Sequence, residues 1–226
     1  MRLVALVLFA VVVACGDDLS GPPVPTALEA VGDTVLVGAV ARPIGDSIRV
    51  RLVDQRGQPF AFARIFFDVQ QGGGSVSPES VLTDSTGIAA ALWTLGPGLG
   101  TGHRLRASAG IFEREFRATA RHELTGAFTG PYTTPTVVNV SARIDVISQV
   151  DSVLTGTFST GQGRRATLTG TVRGAELEAT LGFTDPCGGI GTLTADIQDV
   201  GRTLLGTIAV DDCAGPYTGE FRLVRR

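Results

Sequence analysis

A five-residue phrase recurs through the C-terminal half of the chain. It reads Leu124-Thr-Gly126-Ala-Phe128, Leu154-Thr-Gly156-Thr-Phe158 and Leu168-Thr-Gly170-Thr-Val172, with looser copies at Leu204–Ile208 and Tyr217–Phe221. The phrase reads apolar, polar, glycine, polar, apolar, with Ala127 and Leu205 as departures at its polar positions, which is the two-residue period of a strand with one buried face. The glycine falls on that buried face, as suits a sharply coiled sheet where a neighbouring aromatic covers bare backbone. Other strands alternate without it: Val138, Val140, Ala142, Ile144 and Val146 share one face, and Ala175, Leu177, Ala179 and Leu181 another. Eight strands joined by short turns fit residues 122–226, an antiparallel meander closed into a small β-barrel, with a curved β-sandwich as the alternative.

A meander alternates its ends, so loops at 130–135, 161–164, 184–189 and 211–216 fall together at one of them. Cys187 lies in the third and Cys213 in the fourth. Three cysteines are an awkward number for an exported chain. If Cys15 is otherwise engaged, Cys187 and Cys213 form one disulfide in an oxidising compartment. Closing that loop contributes roughly 3–4 kcal/mol in the chain-entropy model.

At the other end of the chain, Arg2 precedes an apolar run from Leu3 to Val13. A spanning helix needs about 20 residues, so this run has the length of a signal-peptide core. It closes Val12-Val13-Ala14-Cys15, which resembles the lipobox of bacterial lipoproteins. The resemblance implies cleavage before Cys15 and lipid on its thiol and its new amino group. Gly16 after the cysteine, rather than aspartate, implies the outer membrane. Two or three acyl chains hold firmly, since each buried methylene contributes about 0.8 kcal/mol. Residues 1–14 are thus expected as a leader and 15–25 as a Gly/Pro-rich tether, ending Gly21-Pro22-Pro23-Val24-Pro25.

Residues 26–121 alternate clearly at Ser47–Val53, Ile88–Leu95 and Phe112–Ala120. Asp54-Gln-Arg-Gly57-Gln-Pro59 and Thr83-Asp84-Ser-Thr-Gly87 read as turns, with Gly57 free to take positive φ. Trp93, which alternates with Ala91 and Leu95, is expected between two sheets. Together with Ile65-Phe66-Phe67, Gly72-Gly-Gly-Ser-Val76, Trp93-Thr-Leu-Gly96 and Phe116-Arg-Ala-Thr-Ala120, these residues resemble the group 1 bacterial Ig-like domain of intimin- and invasin-type surface proteins. The resemblance implies an Ig-like sandwich acting as a spacer, and no activity. The whole chain is expected to be all-β.

Charge and motif content narrow the function. Nineteen basic residues, all arginine, face twenty-two acidic ones, which leaves no electrostatic footprint for nucleic acid. There are only two histidines, His103 and His122, and neither has the spacing of a metal ligand pair or a nucleophile partner. No catalytic residue, metal or cofactor is therefore assigned, and a hydrolase is the least favoured class. Asp211-Asp212 alone offers too few oxygens for calcium, which takes about 6–8. The loops of the barrel's longer end gather Tyr132, Arg164, Arg165, Asp185, Asp211 and Asp212. They make a candidate rim for an envelope glycan or protein. The expectation is a lipid-anchored envelope protein with an adhesive, binding or structural role. The alternative is a lipocalin-like barrel carrying a small apolar ligand.

Overall fold

Alternation becomes strand throughout, and the described residues contain no helix. The computed structural model describes residues 21–185, 187–213 and 215–226. Cys15, the leader and most of the tether lie outside the described residues, as does the side chain of Asp185.

The first nine strands are β1 (Pro25–Ala30), β2 (Val35–Ala39), β3 (Ile48–Asp54), β4 (Arg64–Gln71), β5 (Gly74–Ser77), β6 (Ser80–Leu82), β7 (Ile88–Leu95), β8 (Gly100–Ala109) and β9 (Phe112–Arg121). They form two sheets, β1-β3-β7-β5 and β2-β9-β8-β4-β6, arranged as a sandwich. Ile48, Val50 and Leu52 point inward from β3 and meet Trp93 of β7, which is wholly buried. The turn after β3 is held by Asp54, whose Oδ1 accepts from the backbone N–H groups of Arg56 and Gln58 at 2.9 and 2.8 Å. Asp84 repeats the device, accepting from Thr86 and Ile88 at 2.8 and 3.0 Å. Gly57 and Gly87 take φ values of 70° and 75° beside these aspartates, where a Cβ is unfavourable.

The chain enters and leaves this sandwich at opposite ends. Pro25 pairs with Asp54 at the end of β3, where β7 begins. The carbonyl of Arg121 accepts from Val40 N–H at 3.0 Å, and the next residue, Ala41, donates to Gly96 just past the end of β7 at 3.1 Å.

Eight further strands follow: β10 (Gly126–Thr133), β11 (Val140–Val150), β12 (Val153–Thr160), β13 (Arg165–Arg173), β14 (Glu176–Asp185), β15 (Gly189–Gln198), β16 (Thr203–Asp212) and β17 (Gly215–Arg225). Each pairs antiparallel with the next, and β10 pairs with β17 to close the barrel. Phe128, Leu154, Phe158, Leu168, Leu181 and Leu223 belong to a continuous buried core inside it. Burying each such side chain contributes roughly 1.5–3 kcal/mol. Outside, Thr155, Thr169, Thr180 and Thr192 stand in register across four strands, all exposed. An apolar inside and a hydroxyl-rich outside invert the arrangement of a lipid-facing barrel.

The glycines of the repeated phrase do sit where backbones crowd. A Cβ on Gly156 would overlap the Asp145 carbonyl oxygen, and one on Gly219 would run into the ring of Tyr132. The first copy departs from this. Gly126 is exposed at the start of β10 with φ 115°, and Gly130 instead packs on the Arg222 backbone. The strand runs on through Gly130-Pro131 to Thr133, so the first long loop is 134–139 rather than 130–135. The ladder to β17 skips Gly130 and Pro131, which is how a residue without an N–H is accommodated there. Val138 and Ala175 consequently lie in connections and are exposed, not on inward strand faces.

The tight connections of the barrel face the sandwich. Arg121 pairs with Asp151 at 2.7 Å, and residues 99–100 share a cavity with Asp151 and Gly174. Residues 134–139, 161–164, 187–188 and 213, from the four other connections, lie at the opposite end.

Candidate functional site at the barrel mouth

The mouth formed by these distal loops is built by strand alternation. Arg164 has the parity of Ala166 and Leu168, and Asp212 that of Val210 and Ile208, so both turn inward. The same period turns Arg165 and Asp211 onto the exposed outer wall. Tyr132 follows Phe128 inward and is buried. Of the expected rim, then, Tyr132, Arg164 and Asp212 come together, while Arg165 and Asp211 do not join them.

Arg164 pairs with Asp212 at 2.7 Å; the Asp212 side chain is fully buried and that of Arg164 is 18% exposed. The guanidinium carbon lies 4.6 Å from the centre of the Phe183 ring and 6.0 Å from that of Tyr217, within cation–π range. Phe158 packs edge-on against both Tyr132 and Phe183, with ring centres 5.9 and 6.2 Å apart. The phenols of Tyr132 and Tyr217 lie close to each other and to Arg164. Burial is the main reason that both phenols are pushed up from their ordinary value. These are therefore neutral, polar tips on an apolar wall.

Above this floor opens a cavity of about 470 Å³, bordered by residues 134–137, Gln162 and Pro216. That lies within the roughly 300–1,000 Å³ of small-molecule sites. Thr160 lines it too, with a buried Oγ1 that has no hydrogen-bond partner. Cys187 and Cys213, from two of the distal connections, are joined, with Cα atoms 5.9 Å apart. Sequence reasoning missed Phe158, Phe183 and Tyr217. The last could have been found from its parity with Phe221.

Chemistry elsewhere is sparse. His103 is buried in the sandwich, its Nε2 bonded to the Gly98 carbonyl at 2.7 Å. His122 is buried at the junction of sandwich and barrel. Among the described residues no cluster of three His, Cys, Asp or Glu could hold a metal ion.

No protein-family model matches the sequence, and no curated protein matches it. Solved structures that resemble the chain include domains 5–6 of the S-layer protein SbsC, with 12% identity and a TM-score of 0.35 over 76% of this chain and 91% of that one. Domains 4–9 of the same protein give 10% and 0.36 over 88% of this chain and 31% of that one. The D0-D1 domain of intimin gives 14% and 0.34 over 71% and 92%. Likeness at this level assigns neither family nor function.

Proposed function

We propose that this chain is a lipid-anchored, non-catalytic component of the cell envelope, in which an Ig-like sandwich spaces a recognition barrel away from the membrane. The distal mouth, with its cavity of about 470 Å³ over an aromatic and arginine floor, carries this reading. The remainder of the barrel interior is filled by side chains, so a ligand would seat at the mouth rather than within. Entry and exit at opposite ends of the sandwich suit a spacer. The Cys187–Cys213 disulfide fits an oxidising, extracytoplasmic compartment. The lipobox-like Val12-Val13-Ala14-Cys15 supplies the anchor, and Gly16 favours the outer membrane. Both histidines are buried away from the mouth, which supports a binding role over hydrolysis.

Two measurements test this. Replacing the anchor residue, Cys15→Ala, should move the protein from the detergent phase to the aqueous phase in temperature-driven partitioning; unchanged partitioning would refute the anchor. Hydrogen exchange of the anchored chain with envelope extract should slow at residues 134–137, 162–164 and 215–217. Protection confined to the sandwich or the outer barrel wall would refute the mouth.

A further inference from the structure

Resting on the mouth as a binding site, we infer that its ligand is a neutral polyhydroxylated ring, the chemistry of an uncharged saccharide. The charges decide against ions. Arg164 is already matched by Asp212 at 2.7 Å, so the floor carries no uncompensated charge. A ligand carboxylate would compete with Asp212 for the guanidinium and feel its negative charge close behind. A ligand cation would be repelled by Arg164 itself.

A purely apolar ligand fits no better. It would cover Arg164 and Gln162 and leave their donors and acceptors without water. Each buried polar group so stranded costs about 1–3 kcal/mol. A sugar meets both halves of the lining. Its C–H face can lie on the half-buried Tyr217 ring, while its hydroxyls, each both donor and acceptor, answer groups of both kinds. Arg164 offers only donors; Gln162 offers both; Thr160 Oγ1 is buried and has no partner at present. Asp212, whose side chain is fully buried, is a positioning residue that holds the guanidinium over Phe183.

The full mature chain, isotope-labelled, would be titrated with methyl glucoside, methyl galactoside, methyl mannoside and N-acetylglucosamine. Sodium acetate, sodium benzoate and an apolar amphiphilic dye would be titrated in parallel. The expected result is saturable shifts at Gln162, Arg164 and Tyr217 with at least one saccharide and none with the others. Gln162→Ala, an exposed rim change that leaves the fold alone, should weaken saccharide binding about tenfold, or 1.4 kcal/mol. Arg164→Gln should weaken it further. Shifts at the mouth caused only by carboxylates or the dye would overturn the saccharide assignment and leave the mouth standing as a site. Saccharide binding untouched by Gln162→Ala would overturn the assignment to this cavity. Silence from every probe would overturn both.

Discussion

Glycine at residue 206 shows how a missing side chain can be structural. A Cβ there would overlap the Thr194 carbonyl oxygen and approach the Ala195 Cα to 2.6 Å. Both obstacles are backbone, so neither can rotate away. Gly206→Ala should therefore destabilise the barrel by about 1–3 kcal/mol, the range for overpacking. Gly161→Ala is the control, because its nearest contact would be an ordinary 3.7 Å. Its effect should stay within about 0.5 kcal/mol. Urea denaturation compares the two, and equal losses would contradict the crowding account. At this scale the sequence was legible wherever period two could be counted. Buried Gly156, Gly170 and Gly219 follow from it. It also contained the difference between Arg164 and Arg165, since only the former shares parity with Ala166. Adjacent charges in a loop invite grouping by type, but a barrel sorts them by face.

Among the elements, the meander topology and its end-to-end alternation were readable from turns and strand length. The same alternation puts Cys187 and Cys213 at one end of the barrel. The pair joins the β14–β15 connection to the β16–β17 connection, and Cys213 N–H donates to Cys187 Sγ at 3.0 Å. The double variant Cys187→Ser with Cys213→Ser should lose roughly 3–4 kcal/mol. Reduction of the parent chain should give the same denaturation midpoint as that variant. A parent midpoint indifferent to reductant would show that the bond does not constrain the barrel. Other elements left weaker traces. β2 is an almost uniformly apolar run, Val-Leu-Val-Gly-Ala, paired in parallel with β9, and a run without a period does not announce its face. β10 reads shorter in the sequence than it is, because Gly-Pro signals a turn. The ladder skip at β17 that tolerates Pro131 is a tertiary fact no local pattern encodes.

For the whole molecule, the junction between sandwich and barrel is where the two units meet in a titratable way. The Gln149 side chain donates to the His122 carbonyl and accepts from Leu124 N–H at 2.8 and 2.7 Å. His122 itself is buried, and its Nδ1 has no hydrogen-bond partner. Burial, and then the Arg225 charge, hold its pKa below the ordinary value of 6.5. Arg42 and Arg202 add positive charge near Arg225, with Glu123 opposing them. A base depressed in the folded state stays neutral there while the unfolded chain takes up a proton. Stability is therefore lost as pH falls through the unfolded value of about 6.5, and the loss levels off below the folded one. Carboxylates such as Asp84 and Glu115, whose pKa values are lowered by hydrogen bonds from Thr86 and Arg117 respectively, withdraw their contribution only in more acid solution. Denaturation midpoints between about pH 7.5 and 5 should thus fall for the parent and stay nearly flat for His122→Gln. An identical slope in the two proteins would assign the acid sensitivity to some other group and leave His122 a packing residue alone.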